Sequence, residues 1–175
     1  EISRIEDLAD PKWKGRICTR KGSHVYNRAL LASLIAHHGE EKAEAWAHSL
    51  VSNLARKPQG NDRAQAKAIW AGECDIAIMN SYYFGKMKFN TKQPEQQDWA
   101  KALTLVFLNQ ADRGQHVNIS AGGIVKTSDN KQDAVAFLEW LTSDEAQQIY
   151  ASVNYEYPVN PAVSADDEVA SWGQF

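Results

Sequence analysis

Apolar positions recur along the chain in two rhythms. Short unbroken runs at Arg16 to Thr19, Ile76 to Met79 and Leu103 to Leu108 have the length and bounding of strands covered on both faces. Between them the spacing turns helical. Val25, Leu30, Leu31, Leu34 and Ile35 form a stripe that predicts a helix over 25–38, and Ala43, Trp46, Ala47, Leu50 and Leu54 predict another over 40–54. Gly39 suits a left-handed cap on the first, with His37 and His38 at its negative end. Asn61 and Asp62 are good N-cap residues for a third helix over 63–71, which stops at Gly72. Beyond Leu108 a polar loop leads to an apolar run over 117–125, broken by Gly122 and Gly123 as a hinge or a close backbone approach would require. A helical pattern follows from Ser128 to Tyr150, with Thr142 and Glu145 forming a capping box for its second helix. The tail from Tyr155 is extended and irregular. The order strand, helix, helix, loop, helix, strand predicts an α/β fold with a parallel sheet and right-handed crossovers.

In such sheets, ligands gather outside the carboxyl ends of the strands. The run 76–79 empties there into Asn80, Ser81, Tyr82 and Tyr83, and the strand 16–19 empties into Lys21-Gly22-Ser23-His24 ahead of a helix N-terminus, an arrangement that offers free N–H groups to an anion. Adjacent tyrosines on a straight strand would face opposite ways, so one site for both requires a turn at Tyr82. A phenol ionises near pH 10, so a deprotonated pair needs a strong cation, and a hard trivalent ion such as Fe(III) suits phenolate oxygen. On the residues alone, packing at the rim of a sheet is the commoner role for such a pair. Core packing is likewise the commoner role for Tyr26.

Composition narrows the alternatives. Lys+Arg number 19 against Asp+Glu 22, a formal net charge of -3, and no basic run offsets the missing positive charge, which argues against a nucleic-acid surface. No apolar run approaches the roughly 18 residues that span a bilayer. The first residues carry no signal peptide and read as the interior of a longer polypeptide. The two cysteines, Cys18 and Cys74, lack metal-ligand spacing. They are either buried thiols or, if their strands are neighbours, a disulfide closing a loop of about 57 residues worth roughly 4 kcal/mol. His37, His38 and His48 suit capping or solvated roles better than ligation; His24 and His116 are weaker candidates than the tyrosines. Arg20 and Arg63 could neutralise an anion or lie on the surface. No nucleophile elbow, P-loop or His-Glu-x-x-His motif points to an enzyme, and no catalytic residues are assigned.

The segments 16–39, 55–65 and 80–85, followed in order by Gly122 to Lys126 and Glu156 to Pro161, resemble the ferric ion-binding periplasmic proteins of bacterial iron ABC transporters. The resemblance covers nearly the whole chain. It implies a type II periplasmic binding protein fold with a parallel-type sheet flanked by helices, largely one lobe plus part of the other. Residues 1–118 would form the ligand-binding lobe, 119–157 the crossover and helices of the incomplete lobe, and 158–175 a return segment. It further implies Fe(III) as ligand, held by Tyr26, Tyr82 and Tyr83, with a synergistic anion such as carbonate or phosphate near Ser23, His24, Asn61, Arg63 and Asn80. The protein would be periplasmic, non-catalytic and served by an inner-membrane permease. The chain departs from the family in lacking the residues that would precede Glu1 and supply further ligands. The apolar face expected over 119–155 would then pack irregularly, be mobile or dimerise. The same architecture also serves carriers of organic or phosphate-bearing solutes such as thiamine or polyamines, in which aromatic stacking without metal would account for the tyrosines.

Overall fold

The computed structural model describes residues 2–173 and divides them into two compact units, one reaching to Asn118 and the other beginning at Ile119. The first unit is built around two short parallel strands, β1 (Ile17–Thr19) and β2 (Ile76–Ile78), with Ile17 opposite Ile76, Cys18 opposite Ala77 and Thr19 opposite Ile78. Ile17 also bridges to Leu54, so the segment after the second helix lies along the other edge of β1. Helices α1 (Val25–His38), α2 (Glu40–Ser52) and α3 (Asp62–Trp70) connect the two strands, as the order of apolar patterns predicts. Gly39 ends α1 at φ 83, a backbone region costly for any residue with a Cβ. Asn61 caps α3, its Oδ1 accepting from the Ala64 N–H at 3.0 Å.

The core gathers Ile5, Leu8, Ile17, Leu30, Leu34 and Ala43, with Trp46, Leu50, Ile76 and Leu108 packed around it. The α1 stripe is narrower than its sequence suggests, because Val25 and Ile35 are exposed and only Leu30 and Leu34 are buried. Strand β2 is half-buried rather than covered on both faces. Cys18 and Cys74 are joined by a disulfide that ties β1 to the entrance of β2, with 6.0 Å between their Cα atoms.

Two short helices follow β2, α4 (Tyr82–Lys88) and α5 (Glu95–Lys101), neither evident from the apolar pattern. Ala66 of α3, Met87 of α4 and Ala100 of α5 meet in a second apolar cluster. The expected strand at 103–108 does not form: the segment has no ladder partner among the described residues. The Leu108 N–H donates instead to Gln115 Oε1 at 2.6 Å. Asn109, left-handed at φ 59, pins this segment to the chain's start: its N–H donates to the Ser3 carbonyl at 2.7 Å and its Oδ1 accepts from the Ile5 N–H at 3.0 Å.

The expected strand over 117–125 is also absent among the described residues; Ile119 and Val125, at the start of the second unit, are exposed. Gly122 does meet the close approach expected of it, since a Cβ would lie 2.9 Å from Leu138 Cδ2. The helical pattern resolves into α6 (Lys131–Trp140) and α7 (Asp144–Asn154), followed by α8 (Asp167–Ser171). The expected Thr142–Glu145 capping box does not form. Ser143 is the cap, accepting from the Ala146 N–H at 3.3 Å, while the Thr142 hydroxyl donates back to the Glu139 carbonyl. Phe137, Trp140, Ile149 and Val153 leave an exposed apolar face on α6 and α7.

Candidate metal centre

Because β1 and β2 are hydrogen-bonded parallel neighbours, their carboxyl ends lie side by side, and each runs within a few residues into a helix. Tyr26 is the second residue of α1, and Tyr82 and Tyr83 are the first two of α4. The turn that one shared site demands is the start of α4. Consecutive helical residues point about 100° apart rather than 180°, which lets both rings face one side. The rings of Tyr82 and Tyr83 lie 4.3 Å apart at an interplanar angle of 33°. From α1, the Tyr26 hydroxyl comes within 3.0 Å of the Tyr82 hydroxyl.

Each of the three rings has a cation over its face. The Arg20 guanidinium is 5.1 Å from the Tyr26 centroid, Lys86 Nζ 5.2 Å from Tyr82, and the Arg63 guanidinium 4.8 Å from Tyr83. Such positions favour electron-rich rings and, still more, phenolate. Arg20 also pairs with Asp62 at 3.2 Å, and Asp62 is only 1% exposed. Burial pushes the Asp62 carboxyl upward, against the pull of Arg20. Burial likewise drives the Tyr82 phenol well above the ordinary tyrosine range, reinforced by its hydrogen bonds with Tyr26 and Tyr83, while Asn80 pulls the other way. Tyr82 therefore keeps its proton at neutral pH unless a cation takes its place.

The outer residues are used differently from a free anion cradle. His24 is the N-cap of α1: its Nδ1 accepts from the Tyr26 N–H at 3.3 Å and its ring meets the Tyr26 ring edge-on at 4.5 Å. One of the donors that the sequence left for an anion is thus occupied by the histidine, which positions Tyr26. Ser23 is exposed and makes no side-chain hydrogen bond among the described residues. Asn61 lies at the head of α3, and Asn80 accepts from Asn118 Nδ2 at 2.8 Å. His116 has its ring half-buried, which pushes its pKa down.

Sequence reasoning missed four contributors. Asn27 donates through Nδ2 to Thr19 Oγ1 at 3.0 Å and to the Arg20 carbonyl at 2.8 Å, fastening the end of β1 to α1. Asp62 anchors Arg20, which is a buried ion-pair partner rather than a surface charge. Asn118 holds Asn80. Lys86 stands four residues after Tyr82, a helical spacing that becomes visible only once α4 is recognised. Among the described residues no group of three His, Cys, Asp or Glu side chains could hold a metal. No helix of the described residues is long and apolar enough to cross a membrane.

Phenols thus converge at the adjacent carboxyl ends of two parallel strands. The chain belongs to the bacterial extracellular solute-binding protein family, whose profile matches residues 3–175. Among curated relatives it is 48% identical over 175 residues to Iron uptake protein A1 of Synechocystis, covering 100% of this chain and 48% of the relative. Among solved structures, the ferric binding protein from Campylobacter jejuni matches with a TM-score of 0.95 and 40% identity, over 99% of this chain and 54% of that one. The Trichodesmium protein FutA, described in complex with iron and citrate ligands, matches with a TM-score of 0.93 and 49% identity, over 99% and 55%. The chain spans about half the length of these relatives. The fold is that of the type II periplasmic binding proteins, represented by a helix-rich portion with a small parallel sheet.

Proposed function

We propose that this chain is the ligand-binding portion of a periplasmic carrier that binds Fe(III) through Tyr26, Tyr82 and Tyr83 and delivers it to an inner-membrane ABC permease. The observation that carries the reading is the convergence of phenol oxygens from α1 and α4, 3.0 Å apart between Tyr26 and Tyr82, at adjacent strand ends. Fe(III) is hard and highly charged, and phenolate is a hard anionic oxygen donor. The names of relatives that bind or take up iron support the same cargo.

Binding on this reading is an exchange of protons for metal. Tyr82 is neutral in the metal-free protein, held so by burial and by Tyr26. Fe(III) displaces its proton, and Arg20, Arg63 and Lys86 over the three rings ease the accumulation of phenolate charge. Three phenolates neutralise a trivalent ion, so these cations leave the surroundings positive and favour an additional anionic ligand such as carbonate or phosphate. Ser23, Asn61 and Asn80 lie at the helix starts and strand end that would receive it. We assign residues 1–118 to the ligand-binding lobe and 119–157 to the crossover and helices of the second lobe, with 158–175 as the return segment.

Titrating the protein with Fe(III) is expected to produce a visible phenolate-to-iron charge-transfer band that disappears in the Tyr82→Phe/Tyr83→Phe double variant. A colourless titration of the full-length carrier would overturn the assignment.

A further inference from the structure

Arg20 is held unlike the other two cations that stand over the tyrosine rings. It directly follows β1, and its guanidinium lies 5.1 Å from the Tyr26 ring centroid. Of the three cations, it alone is paired to a carboxylate among the described residues: Arg20 Nη1 donates to Asp62 Oδ2 at 3.2 Å. The pair is nearly dry, with side-chain exposures of 14% for Arg20 and 1% for Asp62. Arg20 Nε is buried without a hydrogen-bond partner among the described residues, so the anchoring of the guanidinium falls to Asp62. The backbone beneath is fixed as well, because Asn27, next to Tyr26 on α1, donates through Nδ2 to the Arg20 carbonyl at 2.8 Å.

A purely structural role accounts poorly for Asp62. It is the first residue of α3, where an acid interacts favourably with the helix dipole, but an exposed acid would do that without the cost of desolvation. A buried ion pair also adds little net stability over an apolar pair of similar volume. What an apolar pair could not do is fix a positive charge against the face of Tyr26. A fixed cation beside a metal-bound phenolate stabilises the negative charge on its ring.

We propose that Asp62 is a positioning residue of the tyrosine site: through Arg20 it holds a fixed positive charge on the Tyr26 ring, in place before metal arrives. This role rests on the iron reading for its ligand, while the positioning itself belongs to the metal-free protein.

Two measurements on the full chain test it. In the metal-free protein, the Arg20 Nε–H should give a slowly exchanging signal in proton–nitrogen NMR spectra. The signal should persist in Asp62→Asn, whose amide oxygen still accepts from Nη1, and vanish in Asp62→Ala. In the iron-loaded protein, the charge-transfer band should move to longer wavelength in Asp62→Ala and in Arg20→Gln, because a phenolate that loses its cation gives up an electron more readily. Iron affinity should fall about tenfold in both, as expected for loss of a group that supports a metal ligand, and no further in the double variant. Asp62→Asn should move the band the opposite way, since the cation stays while its counter-charge is gone. Displacement in the same direction in Asp62→Asn and Asp62→Ala would mean that Asp62 acts by its own charge, and overturns the proposal. So does an Arg20 signal that survives in Asp62→Ala, or a band shift that persists when Asp62→Ala is combined with Tyr26→Phe. Should Asp62→Ala not fold, as judged by circular dichroism, the opposite displacements expected of Asp62→Asn and Arg20→Gln decide the same point. A wild type that stays colourless while the Arg20 signal behaves as expected supports the positioning and overturns the iron reading; a coloured wild type whose band ignores every variant overturns the role of Asp62 and leaves the iron reading intact.

Discussion

Tyr82 sits where three influences on a proton meet. Burial and the hydroxyl of Tyr26 hold the neutral phenol, while Lys86 over its ring favours the anion. Replacing it by Phe removes a hydrogen bond and a buried hydroxyl together, so the metal-free protein should keep its stability within about 1 kcal/mol. Iron affinity should nevertheless fall more than about 100-fold, beyond what loss of a supporting contact produces. Thermal melts alongside a competitive iron titration separate the two effects. Glu6 supplies a purely structural counterpart. Burial works against its charge, but hydrogen bonds from Asn109, His38 and Arg113 outweigh it and lower its pKa from 4.5 to about 2. A depressed carboxyl contributes stability above its unfolded pKa and loses it as pH falls from about 4.5 toward 2. After allowance for solvent screening, Glu6→Gln should cost about 1–2 kcal/mol at neutral pH, with the difference from wild type vanishing near pH 2 in denaturant titrations. The tyrosine pair was legible in sequence from its place after an apolar run, and Tyr26 only by resemblance. Arg20, Asp62 and Asn27 were not, because a buried ion pair across 42 positions leaves no local pattern.

At the scale of elements, the legible helices are those long enough to show a stripe. Helix α1 could be read to its ends because its apolar face spans several turns and Gly39 stops it. Helices α4 and α5 are seven residues each, too short for periodicity to emerge, and Pro94 before α5 looks like an interruption rather than a start. The run 103–108 has the composition of a strand, but a ladder needs a partner, which composition does not announce. Two local devices carry testable weight. Removing the α3 cap with Asn61→Ala should cost about 1 kcal/mol, measured by chemical denaturation. The Cys18–Cys74 bridge spans 56 positions, so replacing both cysteines by Ala should cost up to roughly 4 kcal/mol through freedom returned to the unfolded chain. Because the bridge ties the two strands whose ends present Tyr26 and Tyr82, its loss should also weaken iron binding in protein that remains folded.

For the whole molecule, the proposed iron exchange and unfolding would draw on different groups and so on different ranges of pH. On the proposed reading, iron would compete with protons for phenols whose ordinary pKa is near 10 and, for Tyr82, higher still. Each ligand that must be deprotonated adds one proton to the exchange, so the apparent affinity falls by up to about a thousandfold per pH unit with three phenols. The fold, by contrast, leans on carboxylates with depressed pKa values, among them Glu6, Asp7 and Asp112, which stay ionised until the solution is well below neutral. Their stabilisation is present above the unfolded carboxylate pKa and fades only below it. Acidification should therefore bleach the charge-transfer band while far-ultraviolet circular dichroism is unchanged, and unfolding should follow only as pH approaches the Glu6 window. Coincident loss of colour and secondary structure would mean instead that release is a by-product of unfolding. The order of the two transitions, followed on one iron-loaded sample from pH 8 downward, decides between a proton-driven exchange at the tyrosines and collapse of the lobe that holds them.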